Sequence, residues 1–522
     1  MRPSDIALTF TEAAAQLASG ALTLPITTHP RQVARLLRAC RRHGITPTAI
    51  IIGAGLAWGD RVALTDNHGT LTYAQLAGAT MRAAAGLKLP RKARVGIMAW
   101  GDRFLLIALG AAGLNGASMC LLNPRLGTDD LASVVDQERL QAIIAAPGVN
   151  LRGYTGNVID ITSLGGVSLA DAPSQARDSR LVLLTGGTTR APSPIALKHR
   201  PGGVVPLVAL MGTTGVRHGL STLIGVPLFH GHGLICAVMC LMVGAPMVLS
   251  SAIRGVVPAE LEKGGTLVPG WGEAMYAALL EQDVKVITAV PAQLNSLARF
   301  LDETQLDAGE SPISIVSGSD RLGASTIDAL TRRWGPVVRN YYGTTESSTV
   351  TVITGAALAA RPTSVGRPVA GCRIRIVDEA GRVVPRGVTG RVQIWSPLVP
   401  ASNCHTTNDT GWVDDDGYLF LAGRSDQKLR SGGEFVDLDA VAAVVREVTG
   451  VESVRAYAVP DETMGQRVAV EVTCQDGVDA ELIRAAVRDR LGPASVPKSV
   501  HLVGRTLLSI AHTPQNPYRD LN

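Results

Sequence analysis

The sequence has no pair of cysteines in a CxxC arrangement. Its seven cysteines are scattered along 522 residues, and a dispersed, odd-numbered set is typical of reduced thiols in a cytosolic protein rather than of a disulfide framework. One cluster of metal-binding side chains fits no standard zinc spacing, and it consists of His230, His232, Cys236 and Cys240. Cysteines within an apolar run are normally core residues, so we expect no metal site there.

The sequence also lacks an apolar run long enough to cross a membrane. The most hydrophobic stretch, Leu234 to Leu249, is about four residues shorter than the ~20 residues that a membrane-spanning helix needs. We therefore predict a buried helix followed by a strand. The first ten residues, MRPSDIALTF, contain no apolar segment before their polar residues, which predicts a cytoplasmic protein without a signal peptide.

Charge of neither sign dominates. The 49 Lys and Arg residues exceed the 44 Asp and Glu residues by five, which suits an anionic substrate but is not the concentrated basic field of a nucleic-acid-binding protein. With 46% apolar and 18% charged residues, the composition is that of a globular protein. The length predicts two to four domains.

A basic helix is the main feature of residues 1–55, which we expect to be an accessory helical segment. Four apolar residues share one face of this helix: Val33, Leu36, Leu37 and Cys40. Five arginines surround that face: Arg31, Arg35, Arg38, Arg41 and Arg42. The pattern favours a helix that packs on its own domain with a solvated basic rim. The alternative is peripheral contact with an anionic membrane.

From Asp60 onward, apolar strands alternate with helical segments. The segment RVALTDNHGTLTYAQL predicts two short strands, a turn at Asn67 to Gly69 and a helix that starts near Tyr73. A strand (ARVGIMA), a helix over Phe104 to Gly113 and a strand over Ala117 to Leu122 follow. This alternation predicts an α/β protein with a parallel sheet.

A loop of small and hydroxyl residues follows the predicted strand Arg180 to Leu184. The loop consists of Thr185, Gly186, Gly187, Thr188 and Thr189. Its backbone N–H groups and Thr hydroxyls can converge on an anionic oxygen, and open α/β sheets bind ligands at the carboxyl ends of their strands. No Gly-Lys-Ser/Thr follows, so the loop is not a Walker motif. Ordinary turns have the same composition, and both interpretations remain open at this point.

Three later strand ends also carry polar or aromatic residues. The first ends in Phe229 and His230, which form a reasonable pocket wall, although a lone histidine is more often structural. The second ends in Gly318, Ser319 and Asp320. The third ends in Tyr341, Tyr342, Gly343, Thr344, Thr345 and Glu346. An aromatic ring can stack on a base, and Thr and Glu oxygens are suitable ligands for Mg²⁺.

Five motifs together resemble a known family. LLTGGTTRAPSP, VPLFHGHGL, YYGTTE, TNDTGWVDDDGYL and GRSDQKLRSGGE occur in the order found in adenylate-forming acyl-CoA synthetases and their luciferase and peptide-synthetase relatives. The lead-in before residue 73 looks most like that of actinobacterial fatty-acyl-CoA ligases. The resemblance implies an α/β fold with a large domain of parallel and mixed sheets, residues 56–425, and a small α+β lid domain, residues 426–522, joined by a hinge.

The resemblance also implies chemistry and cofactors. ATP and a carboxylic acid, here a fatty acid, would give an acyl-adenylate with the help of Mg²⁺, and CoA would then take the acyl group as a thioester. Residues 185–189 resemble the phosphate loop, with Thr185 also among the catalytic residues, and residues 318–320 line up with the adenine-side segment. In the segment Tyr341 to Glu346, Tyr342 would lie against the base and Glu346 would bind the metal. His230 corresponds to the residue near the acyl carboxylate.

Further residues of the implied site lie at the end of the large domain and at the start of the small domain. Asp409 would accept hydrogen bonds from both ribose hydroxyls, and Arg424 would add a second ribose contact. Asp426 would be the hinge about which the small domain rotates between the two half-reactions. The CoA channel would then be lined by Ser431, Gly432 and Gly433.

Two departures from the family pattern bear on activity. The phosphate loop has Ser193 where the family usually has Lys, and no Lys follows Lys498, although the family has a catalytic Lys near position 516 or 517. Loss of one preorganised cation commonly costs on the order of 10²–10³ in rate. Three interpretations follow: a fatty-acyl-CoA ligase with a slow adenylation step, an enzyme that transfers the acyl group to a carrier-protein thiol, and an impaired paralogue that binds nucleotide or acyl-adenylate as a sensor.

Overall fold

Two large sheets, one small sheet and their flanking helices make up the fold. The computed structural model describes residues 6–26, 28–90, 92–165, 179–185, 193–197, 203–253, 270–304, 311–399, 404–424, 428–432, 434–474 and 477–503. Its α-helices are α1 (Phe10–Thr23), α2 (Pro30–His43), α3 (Pro47–Trp58), α4 (Tyr73–Gly86), α5 (Arg103–Leu114), α6 (Thr128–Glu138), α7 (Val204–Thr214), α8 (Gly231–Val243), α9 (Trp271–Glu281), α10 (Pro291–Thr304), α11 (Ala324–Trp334), α12 (Gly355–Ala360), α13 (Leu438–Arg446) and α14 (Ala480–Leu491).

The strands follow the same chain order. They are β1 (Val62–Asp66), β2 (Gly69–Thr72), β3 (Arg94–Met98), β4 (Ser118–Leu122), β5 (Ala142–Ala145), β6 (Val158–Asp160), β7 (Arg180–Thr185), β8 (Ser193–Leu197), β9 (Ser221–Ile224), β10 (Met247–Leu249), β11 (Val284–Ala289), β12 (Ser314–Ser317), β13 (Val338–Thr344), β14 (Ser348–Thr354), β15 (Ser364–Pro368), β16 (Arg373–Val377), β17 (Gly390–Trp395), β18 (Cys404–Val413), β19 (Leu419–Arg424), β20 (Lys428–Ser431), β21 (Glu434–Asp437), β22 (Val451–Asp461), β23 (Gly465–Cys474) and β24 (Ser499–Val503).

The large domain contains the parallel sheets that the alternating pattern predicted. One sheet has six strands in the order β6-β5-β3-β4-β7-β8, all parallel except the antiparallel pair β7 and β8. The other has 13 strands in the order β16-β17-β18-β19-β15-β14-β13-β12-β11-β9-β10-β1-β2, with a parallel centre from β13 to β1. The predicted fold class is confirmed.

Local sequence explains where these elements begin. Strands β3 and β4 are buried along nearly their whole length, as expected for parallel strands covered on both faces. Helix α4 begins at Tyr73 because Thr72 and Gln75 form a capping box around its first turn. The apolar run Leu234 to Leu249 is α8 followed by β10, as predicted. In the described part of the chain, no helix combines the length and apolar character that crossing a membrane requires.

The first three helices pack onto the large domain. Helix α2 buries Leu36 and Ala39 against α3, as the first of the two interpretations predicted, but Leu37 is 57% exposed and does not belong to the buried face. The reason is that α3 covers only one side of α2, and Leu37 lies about 100° around the helix from Leu36. Residues Ile50 to Ile52 of α3 lie in the main hydrophobic core.

The small domain is an α+β unit with its own sheet. Strands β21, β20, β23 and β22 pair in that order, β24 runs parallel to β23, and α13 and α14 cover the sheet. Strand β19 still belongs to the 13-stranded sheet, whereas β20 belongs to the small one. The change of sheet therefore falls between Arg424 and Lys428. The predicted hinge residue, Asp426, lies outside the described residues.

Candidate active site

Three of the predicted site segments lie near neighbouring strand ends of the 13-stranded sheet. Strands β13, β12, β11 and β9 are adjacent and parallel, so their carboxyl ends share one edge. Gly318 follows β12 and lies against β13, because a Cβ atom there would be 3.2 Å from the Tyr341 carbonyl oxygen and 3.5 Å from Cε1 of His232. The segments that start at His230, Gly318 and Tyr341 therefore meet at this edge.

Ser319 occupies an unusual backbone conformation at this edge. Its φ of 71° is in the left-handed region that side-chain-bearing residues seldom adopt. Two contacts hold it: Nδ1 of His232 lies 3.3 Å from its Oγ, and the Arg430 guanidinium donates a hydrogen bond to its carbonyl oxygen. Burial, together with nearby His230, lowers the pKa of His232 to about 4, so its imidazole is neutral near pH 7.

A buried tyrosine–aspartate pair lies next to these residues. The Tyr342 hydroxyl donates to Oδ2 of Asp409 at 2.8 Å, across 67 residues of chain. Burial is the main cause that raises the pKa of Tyr342 well above its ordinary value, and Asp409 adds to it. The strand register places Asp409 directly opposite Arg424, the other residue predicted to contact a ribose. The hydroxyl of the neighbouring Tyr341 lies 2.7 Å from the Thr213 hydroxyl. The Tyr341 side chain packs in the hydrophobic core.

Glu346 is the candidate metal ligand. Its side chain is 27% exposed, and its Oε2 lies 3.9 Å from Nε2 of His405. Among the described residues, no group of three or more His, Cys, Asp or Glu side chains is placed to hold a metal. A single accessible carboxylate nevertheless fits Mg²⁺, which is commonly bound by one or two carboxylates together with substrate phosphates.

A buried ion pair joins the two domains beside His230. Nη1 of Arg125, in the loop after β4, is 2.8 Å from Oε1 of Glu434, at the start of β21, and the side chains are only 2% and 11% exposed. Burial lowers the pKa of His230, while the Glu434 carboxylate opposes this shift and the Arg125 guanidinium reinforces it. The ion pair therefore belongs to the electrostatic surroundings of His230.

The small domain faces the site with the turn between β20 and β21. Gly432, in this turn, has a φ of 56°, and its N–H donates to the Met464 carbonyl at 3.0 Å. Met464 in turn joins a small apolar cluster with Val226, Val290 and Ala292 of the large domain. Ser431, which precedes the turn, is buried.

Most residues of the predicted phosphate loop lie outside the described part of the chain. Thr185 ends β7 in the six-stranded sheet, while Gly186, Gly187, Thr188 and Thr189 lie outside the described residues, as do Gly433 and everything after Val503. Sequence reasoning missed Arg125 and Arg430 as parts of this site, whereas Glu434 belongs to the segment that the resemblance assigned to the CoA channel. A sequence signal existed for Arg125, because it lies three residues after the end of the buried parallel strand β4, and ligands bind at the carboxyl ends of such strands.

A comparison with protein families finds two matches that divide the chain in order. The family model described as AMP-binding enzyme matches residues 54–401. The model described as AMP-binding enzyme C-terminal domain matches residues 440–509.

The curated relatives are CoA ligases of several acids. The chain is 26% identical to feruloyl-CoA synthase of an Amycolatopsis species, over 84% of this chain and 91% of that protein. It is 24% identical to the medium/long-chain-fatty-acid–CoA ligase FadD8 of Mycobacterium tuberculosis, over 78% of this chain and 77% of that protein. A match to the putative acyl–CoA ligase YdaB of Bacillus subtilis, at 23% identity, spans 62% of this chain and 63% of that protein.

Solved structures show the same fold. A double mutant of o-succinylbenzoate CoA synthetase from Bacillus subtilis, bound with the product analogue OSB-NCoA, matches with a TM-score of 0.76 at 20% identity, over 90% of this chain and 96% of that chain. The enzyme of the same name and organism in complex with its acyl-adenylate intermediate matches with a TM-score of 0.64 at 19% identity, over 87% and 94% of the two chains.

Proposed function

Because the chain belongs to the AMP-binding enzyme family, we propose that it uses ATP to convert a carboxylic acid into an acyl-adenylate and then transfers the acyl group to CoA. The observation that carries the proposal is the meeting of three strand ends with Asp409 and with the β20–β21 turn of the small domain. Residues 318–320, Tyr342 and Asp409 come from distant parts of the chain, and Arg430 contacts the first of these segments.

In the proposed adenylation step, the substrate carboxylate attacks the α-phosphorus of ATP and pyrophosphate leaves. Asp409 accepts hydrogen bonds from the ribose hydroxyls, and Arg424 adds a contact there. Tyr342 lies along the base, and residues 185–189 hold the phosphates. Mg²⁺ bound through Glu346 would neutralise charge on the departing phosphates. Catalysis of this kind is mostly positioning and charge neutralisation.

The arrangement of the two domains suits the second step. The turn between β20 and β21, which contains Gly432, faces the large domain, and Glu434 directly after it pairs with Arg125 beside His230. We assign this arrangement to thiol attack, with Asp426 as the hinge and residues 431–433 along the CoA channel.

For the acid, we propose a fatty acid. Apolar side chains surround the end of β9 and β11, where Val226 and Val290 are buried, and the fatty-acid ligase of M. tuberculosis is among the relatives. Relatives that act on ferulate and 2-succinylbenzoate have similar identities, so the substrate test must include aromatic acids. Peripheral membrane contact through α2 is a separate prediction that the catalytic function does not require.

The test is exchange of labelled pyrophosphate into ATP with a panel of fatty, aromatic and dicarboxylic acids, followed by detection of the acyl-CoA. We expect exchange with fatty acids and a CoA-dependent thioester product. Asp409→Asn, which removes a buried carboxylate of the site, should weaken ATP binding at least tenfold, since hydrogen bonds to a charged group contribute about 1.5–3 kcal/mol each. The matched control is Asp378→Asn in the exposed turn after β16. Equal ATP affinity in both variants contradicts the proposed site.

A second candidate function rests on the sequence after Lys498, which contains no Lys. Lys498 itself cannot replace the missing residue in this arrangement, because its Nζ is 2.7 Å from Oδ2 of Asp461 within the small domain. An adenylation-impaired protein would bind ATP without pyrophosphate exchange. If the missing cation limits the first step, Pro517→Lys accelerates exchange. A product thioester on a carrier protein, but not on CoA, would instead favour the carrier-thiol interpretation.

A further inference from the structure

From the outer surface of α2 and its surroundings, we infer that the protein docks on an anionic lipid membrane through its N-terminal helices. The charge distribution is the first observation. Residues 13–59 contain five arginines, no lysine and no Asp or Glu. The other 44 Lys and Arg residues of the chain equal its 44 Asp and Glu residues, so the whole net charge of +5 resides in this segment.

The five arginines are concentrated on one exposed face of α2. The exposed residues of this helix are Pro30, Arg31, Ala34, Arg35, Leu37, Arg38, Arg41 and Arg42. At 100° per residue they fall within one arc of about 160°, and the arginines span about 16 Å along the axis. The opposite side of the helix is buried against α3. The arc therefore faces away from the protein core.

Exposed aliphatic side chains accompany this basic arc. Of the 14 large hydrophobic residues that are exposed in the described part of the chain, five fall in residues 13–59. Leu37, 57% exposed, lies at one edge of the arc. Leu56, 55% exposed, lies near the other edge, because Nη1 of Arg35 donates to its carbonyl oxygen at 3.2 Å. Ile45, 50% exposed, follows the end of α2.

The combination of clustered arginines and exposed aliphatic side chains fits a membrane surface better than nucleic acid. Anionic lipid headgroups attract clustered basic residues, and the adjacent aliphatic side chains can enter the boundary between headgroups and acyl chains. Nucleic-acid sites instead combine basic residues with aromatic platforms or polar contacts to the bases. This surface lies outside the proposed active site, and the inference does not depend on the catalytic function.

The test is flotation of the full-length protein with vesicles of phosphatidylglycerol and phosphatidylcholine, and with vesicles of phosphatidylcholine alone. We expect binding to the anionic vesicles only, with loss of binding at high salt. Arg38→Gln/Arg41→Gln should weaken binding about 25-fold, at about fivefold per arginine. The matched control is Arg299→Gln/Arg332→Gln, two exposed arginines on α10 and α11. Leu37→Ser should weaken binding about fivefold, with Leu482→Ser on α14 as its control.

Any of the following results would overturn the inference: no flotation of the unaltered protein, equal binding to both vesicle types, equal loss in the test and control variants, or salt-sensitive binding to duplex DNA without vesicle binding. A dimer in solution that Leu37→Ser dissociates, without vesicle binding, assigns the surface to a second copy and also contradicts it. Pyrophosphate exchange in vesicle-free solution should be unchanged in all variants, which separates this inference from the proposed activity.

Discussion

Replacing Glu434 by Gln should separate the two proposed half-reactions. The carboxylate of Glu434 compensates the charge of Arg125, whose side chain is 2% exposed, at a distance of 2.8 Å. Removing one partner of a buried ion pair typically costs 3–5 kcal/mol, because the other charge stays buried without compensation. This cost applies only while the small domain is docked with β21 beside Arg125.

The expected loss of rate follows because this cost applies to the docked arrangement and not to the undocked one. A cost of about 3 kcal/mol lowers the ratio of docked to undocked molecules roughly 150-fold. Thioester formation from preformed acyl-adenylate should therefore fall by at least tenfold, while pyrophosphate exchange is retained. Rapid mixing of enzyme-bound acyl-adenylate with CoA measures the first rate, and isotope exchange measures the second.

Glu447→Gln is the matched control. Glu447 also belongs to the small domain and pairs with Arg490, but its side chain is 64% exposed, and exposed pairs contribute only about 0–1 kcal/mol. This variant should leave both rates within about fivefold of the original. The reasoning is refuted if Glu434→Gln slows both half-reactions equally, or if it slows neither while its unfolding free energy stays unchanged.

Three further predictions concern stability. Burial, with a smaller effect from Asp66, raises the pKa of Asp102 to about 7. Because this folded-state pKa exceeds the unfolded value, the protonated carboxyl contributes stability below about pH 4 that is lost as the pH rises through 7. Asp102→Asn should therefore gain stability relative to the original between pH 4 and pH 8, by about 4 kcal/mol at most, and urea unfolding that shows no pH-dependent difference contradicts this. Tyr342→Phe should lower the unfolding free energy by about 1.5–3 kcal/mol through loss of the bond to Asp409, as measured by urea unfolding, with an unchanged midpoint as the contrary result. Gly343→Ala should disturb the β13–β14 pair, since its Cβ would be 1.9 Å from the Ser348 carbonyl oxygen, and normal expression with an unchanged melting temperature would show that the backbone accommodates it.

Much of the fold could be predicted from local pattern. The helix start at Tyr73, strands β3 and β4, and the division of the run Leu234 to Leu249 into helix and strand all follow from periodicity and capping. Leu37 was placed on the wrong face. Periodicity identifies an apolar stripe, but the width of the surface that a neighbouring helix covers depends on how the two helices pack.

The family was also predictable, because its motifs are contiguous in sequence. Two of the motifs, VPLFHGHGL and YYGTTE, lie at the ends of β9 and β13, and parallel strands of one sheet place their ends at a common edge. The particular acid could not be predicted in the same way, since side chains from several strands form the acyl pocket. Relatives with similar identity carry names for ferulate and for fatty acids.

The sequence by itself determined which segments become strands, which loops end them and which family they belong to, because turn chemistry and side-chain alternation are local properties. Only the tertiary structure decided that Arg125 faces Glu434 across 309 residues, that Arg430 reaches the Ser319 carbonyl, and that Tyr342 donates to Asp409. These contacts depend on how the small domain docks and on which edges of the sheet come together, and neither leaves a periodic signal along the chain.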